Sequence, residues 1–352
     1  MRRARAGLVG FAAALSAGWL AACAVGPDYH PPSPPAGATA PLVSRDPALE
    51  SAAEPPDAWW RLYDDAELDR LVQEAFAAND DLKAAQANLS VARASLEAAR
   101  NGLYPQTTAG FDAKYGRDPA TDEILEIGGH KPQTTWLYDD LLDVSYEFDL
   151  FGHVRRSVEA SHADAEAAAA ARDSVRITIA AETIRAYAEL CALGEQLDVA
   201  QRSLDVVAHE ADIAGQRREA GAGSDFDVVR AQGLVAQTRA AIPALEGQRR
   251  AALFQLTALL GRTPSQAPAE AQACVRPPKL AAPLPVGAGA GLLKRRPDVR
   301  LADRRLAAAT ARIGVATADL YPRITLDGFY GGAAADLADL TRNAGLVWGV
   351  GP

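Results

Sequence analysis

Covalent chemistry in this 352-residue chain rests on three cysteines. Cys23 directly follows Leu20-Ala21-Ala22, behind the basic residues Arg2, Arg3 and Arg5 and a short apolar stretch over residues 6–19. Basic, apolar and then small residues in that order form a secretory signal. A cysteine immediately after the small pair matches a lipoprotein-processing site. The thiol would take a diacylglycerol and the new amino terminus an acyl chain, and several chains anchor stably where one binds marginally. Ordinary cleavage, leaving Cys23 a free thiol, is the plain alternative. Cys191 and Cys274 remain in the mature chain, in a compartment that permits a disulfide. Cys191 lies roughly 30 residues before a glycine-rich reversal, and the same height on the return path falls near Ala251, shortly before the loop that carries Cys274. The two thiols can therefore meet. The alternative is a buried free cysteine, which behaves as a small hydrophobe.

Asp143, Glu147 and Asp149 share one face of an alternating segment, with Ser145, opposite Leu142, Val144, Tyr146, Phe148 and Leu150. A period of two with one apolar and one charged face describes a strand between lipid and water, although a strand on a soluble sheet alternates in the same way. On the membrane reading these acids line a lumen. They either favour cations or simply wet the face. His30, His130, His153, His162 and His209 lie scattered without metal-ligand spacing. No nucleophile elbow, phosphate loop or paired catalytic motif is present. The expectation is no catalysis, no metal, and no cofactor other than covalent lipid on Cys23. A formal net charge of −9 argues against a nucleic-acid partner.

The elements that position these residues are mainly helical. Hydrophobic residues make up 49% but aromatics only 6%, with a single Met, so alanine dominates. Alanine favours helix and close helix approach. Residues 24–58 are rich in Pro, Ala and Ser and read as an extended linker. An internal repeat follows. Leu103-Tyr104-Pro105 recurs as Leu320-Tyr321-Pro322. The preceding seams, Leu82, Ala85, Leu89, Ala92, Leu96, Ala99 and Val299, Ala302, Leu306, Ala309, Ile313, Ala316, align at the same offset in a 3, 4 step. Proline ends each helix and opens an extended segment. The first such segment places Thr107, Ala109, Phe111, Ala113 and Tyr115 opposite Gln106, Thr108, Asp112 and Lys114. A proline-free stretch reaches about residue 220 with a seam from Leu190 to Ala214, roughly 100 Å of helix at 1.5 Å per residue. Gly221-Ala222-Gly223-Ser224 reverses it, and Ser224 with Asp227 forms the signature of a capping box. Pro243 should kink the return helix. No stretch after the signal is apolar enough for a transmembrane helix.

Cys23-Ala24-Val25-Gly26-Pro27-Asp28-Tyr29, Trp59-Trp60, Phe148-Asp149-Leu150-Phe151-Gly152 with Val154-Arg155-Arg156, Arg218 with Gly221, Ser224, Asp227 and Val228, and Arg295-Arg296-Pro297-Asp298 occur in the order found in the TolC-like outer-membrane efflux family. The chain resembles that family's NodT-type lipoproteins of RND efflux systems. The resemblance implies a mostly α fold with membrane β-strands, in which long coiled-coil hairpins hang below a β-barrel shared by a homotrimer. It also implies export partners, namely a periplasmic adaptor at the helical tip and an inner-membrane RND-type pump. With Ala24 rather than aspartate behind the lipid site, it implies location at the outer membrane. Gly221, Ala222, Gly223 and Ser224 become candidate adaptor contacts, and a plain helix hairpin is the alternative. The expected organisation is a signal peptide at 1–22, a linker at 23–58, a first repeat at 59–291 and the start of a second at 292–352. Counting on by the repeat offset, the fourth strand, second long helix and second tip are expected to be absent. That leaves three strands and no conducting channel from this chain alone. Secretion of proteins, or a lipid-anchored coiled-coil spacer, are the rival functions.

Overall fold

The computed structural model describes residues 24–35, 37, 38, 46, 49–117, 123, 126–129, 131, 134–287, 289–343 and 345–352. The signal segment, Cys23 and part of the linker lie outside these. In chain order the elements are β1 (Glu50–Ser51), a 3-10 turn (Trp59–Tyr63), α1 (Ala66–Ala78), α2 (Asp80–Asn101), β2 (Gln106–Gly116), β3 (Thr135–Phe148), α3 (His153–Glu219), α4 (Asp225–Leu259), α5 (Ala269–Gln272), β4 (Leu284–Pro285), α6 (Gly289–Arg295), α7 (Pro297–Ala318), β5 (Ile324–Ala334) and β6 (Leu346–Gly351). The described residues form two compact units, one from those within 24–31, 90–167 and 302–352, the other from those within 32–89 and 168–301.

The repeat is realised to the residue. Helices α2 and α7 are both 22 residues long and begin and end 217 positions apart. Both close on the same turn: Tyr104 N–H donates to the Asn101 carbonyl and Tyr321 N–H to the Ala318 carbonyl, each at 3.0 Å. Their packing differs. In α2 the expected seam is used, with Leu89 and Leu96 buried. In α7 Leu306 and Ile313 are exposed, and the buried strip is Ala307, Ala308, Ala311, Gly314 and Ala318. Ion pairs from α7 to α3 fix that face, Arg304 to Glu166 at 3.0 Å and Arg312 to Asp164. The small residues between them let the backbones approach closely.

The second unit holds the larger core. Leu68, Leu71, Val72 and Ala75 of α1 pack with Ile184, Tyr187 and Leu190 of α3 and with Leu256 at the end of α4. Asn79, buried between α1 and α2, donates to the Leu259 carbonyl at 3.1 Å and accepts from Leu82 N–H at 3.1 Å. The disulfide Cys191–Cys274 ties α3 to the segment after α5, with Cα atoms 4.9 Å apart. The α3 and α4 seams run as the periodicity predicts. Helix α4 continues through Pro243, which is exposed.

The first unit carries an antiparallel sheet in the order β2-β3-β5-β6. This corrects the expectation of three strands. The Leu346–Gly351 run is itself the fourth strand, because β5 supplies its ladder, with Tyr330 opposite Trp348. Two further differences concern the ends. Strand β3 stops at Phe148, so Asp149 and Leu150 lie beyond it. Within the expected linker, Glu50–Ser51 pairs in parallel with Leu284–Pro285, and Val25 N–H donates to the Phe151 carbonyl at 3.1 Å.

Candidate functional site

Two places concentrate the candidate residues, the sheet and the hairpin tip. The sheet's register assigns every strand residue to a face, because directly paired residues share a side and neighbours along a strand alternate. One face carries Phe111, Tyr115, Trp136, Tyr138, Leu142, Val144, Tyr146, Phe148, Leu326, Tyr330, Trp348 and Val350. Most are well exposed, Trp348 at 70% and Val350 at 71%. The other carries Thr108, Asp112, Lys114, Asp139, Asp143, Ser145, Glu147 and Asp327, together with Leu137, Leu141, Phe329 and Val347. Asp140 is the one carboxylate placed on the apolar side of β3, opposite Phe111.

Aromatic rings touch one another at the two ends of the apolar face, and Phe111, Tyr330 and Trp348 lie between those ends. Trp136 stacks on Tyr138 with centroids 5.7 Å apart and touches Tyr115 at 5.2 Å. At the other end Tyr146 meets Phe148 edge-on at 5.3 Å, and Phe151 stacks on Tyr321 at 4.5 Å. Trp136 and Tyr146 are separated by about 33 Å of strand, or about 25 Å along the normal at a tilt of ~40°. That height matches the apolar band of an outer-membrane barrel. No described helix is long and apolar enough to cross a membrane.

Of the three acids singled out by sequence, Asp143 and Glu147 share the polar face of β3. Asp149 does not join them. Its two carboxylate oxygens accept from Val154 N–H (3.0 Å) and Arg155 N–H (2.9 Å), and its side chain is 14% exposed. It caps α3, satisfying amides that the first helical turn leaves without partners. The alternation simply ran past the end of the strand. Sequence reasoning also missed a charged cluster beside Glu147. His153 lies 3.7 Å from Glu147 and 3.6 Å from Asp319. Arg323 bonds Asp319 at 2.6 Å and holds that carboxyl below its ordinary range. These residues are far apart in sequence, and only the register joins them.

At the tip, α3 ends with Gly221 at φ +73°. Gly221 N–H donates to the Arg218 carbonyl (3.0 Å) and Ala222 N–H to the Arg217 carbonyl (2.8 Å), a Schellman closure. Ser224 then opens α4. Asp227 N–H donates to Ser224 Oγ at 3.2 Å, and Ser224 N–H to Asp227 Oδ2 at 3.1 Å. The Ser224 hydroxyl and amide hold the Asp227 carboxyl below its ordinary range. Arg218 bridges Asp225 across the turn at 2.7 Å. Gly221, Ala222, Gly223 and Ser224 are all exposed. Next to them stand Phe226 (72% exposed) and Val229 (66%). Both lie off the seam residues Val228 and Ala231, which is the signal that could have found them.

The family model for outer membrane efflux protein matches residues 71–262. The pyoverdine export outer membrane protein OpmQ of Pseudomonas putida is 31% identical over 326 residues, covering 90% of this chain and 67% of OpmQ. Nodulation protein T of Rhizobium leguminosarum bv. viciae is 31% identical over 338 residues, covering 95% of this chain and 66% of that protein. Among solved structures, the outer-membrane channel OprN superposes with a TM-score of 0.80 at 34% identity, covering 94% of this chain and 72% of OprN. The chain thus spans about two thirds of the length of the curated relatives it matches.

Proposed function

Because this chain belongs to the outer membrane efflux protein family, we propose that it works as the outer-membrane duct of a tripartite efflux pump. Solutes expelled by an inner-membrane RND-type pump would leave through it. One observation carries the reading: a four-stranded sheet that places all but one of its aromatic rings, Phe329, on one face and all but one of its carboxylates, Asp140, on the other, and whose outer strands β2 and β6 each have one partner only among the described residues. In lipid, unpaired backbone groups cost several kcal/mol each, roughly, so a spanning sheet must close. Three copies, the assembly the family resemblance implies, join β6 of one to β2 of the next. Asp143, Glu147 and Asp327 then face water inside, and Trp136, Tyr146 and Trp348 face lipid. The helical hairpin extends into the periplasm, and acyl chains on Cys23 hold the assembly in the outer membrane.

The same reading gives the tip its role. A periplasmic adaptor docks on Gly221, Ala222, Gly223 and Ser224, with exposed Phe226 as an apolar anchor. Aromatic residues of this kind dominate interface energetics. Closure is tested by placing single cysteines on the edge strands, at Thr108 and at Gly349, and linking them in outer membranes with a bifunctional thiol reagent. A ladder ending at three copies supports the duct. Monomer alone would falsify it. Phe226→Ser should leave that ladder intact while weakening adaptor capture tenfold or more, about the cost of losing a buried aromatic anchor.

A further inference from the structure

The residues directly behind Cys23 are held in place, and one guanidinium holds three of them. Arg156, in the first turns of α3, is buried at 6% exposure. Its Nη2 donates to Asp28 Oδ1 (2.7 Å) and to the Gly26 carbonyl (3.4 Å). Its Nε donates to the Val25 carbonyl (3.3 Å) and its Nη1 to Glu159 Oε2 (2.8 Å). Tyr29 continues the attachment. Its hydroxyl donates to Asp303, and the Arg304 guanidinium lies 6.0 Å from its ring. Two glycines make the close fit possible. A Cβ added at Gly152 (φ +84°) would lie 2.8 Å from Ala24 Cβ, and one at Gly26 (φ +93°) would lie 2.5 Å from Gly314 Cα.

A loose tether requires none of this. Burying a guanidinium is costly unless its donors are matched. Here two carboxylates and two carbonyls match them in a fork that lysine cannot reproduce. We infer that residues 24–29 form a docked strap locked by Arg156, and that the strap fixes the lipid-bearing terminus at the junction of β3 and α3. This rests on the reading of Cys23 as the acylation site. One peptide bond separates Cys23 from Ala24, so their Cα atoms lie about 3.8 Å apart. Ala24 in turn lies against Gly152, just past the end of β3. That contact adjoins Phe151, whose carbonyl accepts from Val25 N–H and whose ring stacks on Tyr321 in the lower aromatic group. Arg156 is thus a positioning residue that sets the depth of the anchor relative to the strands.

Hydrogen exchange read by mass spectrometry on the full chain in detergent tests the strap. The Val25 amide, which donates to the Phe151 carbonyl at 3.1 Å, should be protected in the wild type. Arg156→Ala should speed its exchange about tenfold or more, as expected from losing a charge-assisted hydrogen bond, while α3 amides over 180–190 stay unchanged. Asp28→Ala, at a side chain 74% exposed, leaves the fold intact and should act in the same direction. Wild-type exchange at the rate of an unstructured peptide overturns the strap, as does no change in either variant. The mass of the N-terminal peptide reports acylation separately. A strap that is protected yet carries no lipid would refute the role of Cys23 and leave the docking standing.

Discussion

A single carboxylate changes role according to which side of Phe148 it stands. Glu147 keeps its place in the pleat and faces the polar side. Asp149, two residues on, turns back to cap α3. In sequence both sit on one alternating face, and only the end of the ladder separates them. Asp149→Ala should therefore cost stability, about 1 kcal/mol as for other lost helix caps, visible as a lower melting temperature. Glu147→Ala should leave the melting temperature nearly unchanged. A second residue sets an alkaline limit. Burial, followed by the charges of Asp65 and Glu67, pushes the Tyr187 phenol from 10.0 up to about 12. The folded state thus binds this proton more tightly than the unfolded state. The stabilisation is complete below pH 10 and is lost as pH rises through about 12. Melts across that window should steepen for the wild type and flatten for Tyr187→Phe. Equal slopes would contradict the assignment.

Among the elements, those with long periodic signals were legible and those defined by a partner were not. The seams of α3 and α4 follow from the spacing of Leu190 to Ala214 and Val228 to Leu259, because a helix's own period decides which face is apolar. The β2 faces followed in the same way from Thr107 to Tyr115. Helix α7 shows the limit of that logic. Its apolar seam has the same spacing as that of α2, yet Leu306 and Ile313 are exposed. The choice between two faces went to the alanine strip and to Arg304 and Arg312, whose partners Glu166 and Asp164 lie more than a hundred residues away. Strand β6 was not counted for a related reason: six residues with two glycines form a strand only because β5 offers an edge. The disulfide belongs to this scale too. It closes a loop with a sequence separation of 83, so replacing Cys191 and Cys274 together by serine should cost on the order of 4 kcal/mol in the chain-entropy model. Denaturant titration with and without reductant measures it, and identical midpoints would show that the bridge does not form.

For the whole molecule, the family assignment and the two-faced sheet point the same way from independent observations. The comparisons rest on residues spread along the chain. The sheet argument rests on register alone, which places every aromatic ring of the strands but Phe329 on one side and five of the six carboxylates, Asp112, Asp139, Asp143, Glu147 and Asp327, on the other. A one-residue slip would exchange those faces, so the account depends on this register in a membrane. Single cysteines placed in turn at residues 142 to 147 of β3, in intact outer membranes, test it directly with a water-soluble maleimide. Positions 143, 145 and 147 should label rapidly and positions 142, 144 and 146 should stay protected. Uniform labelling, or the opposite alternation, would contradict a sheet with lipid on its aromatic face and water on its acidic one.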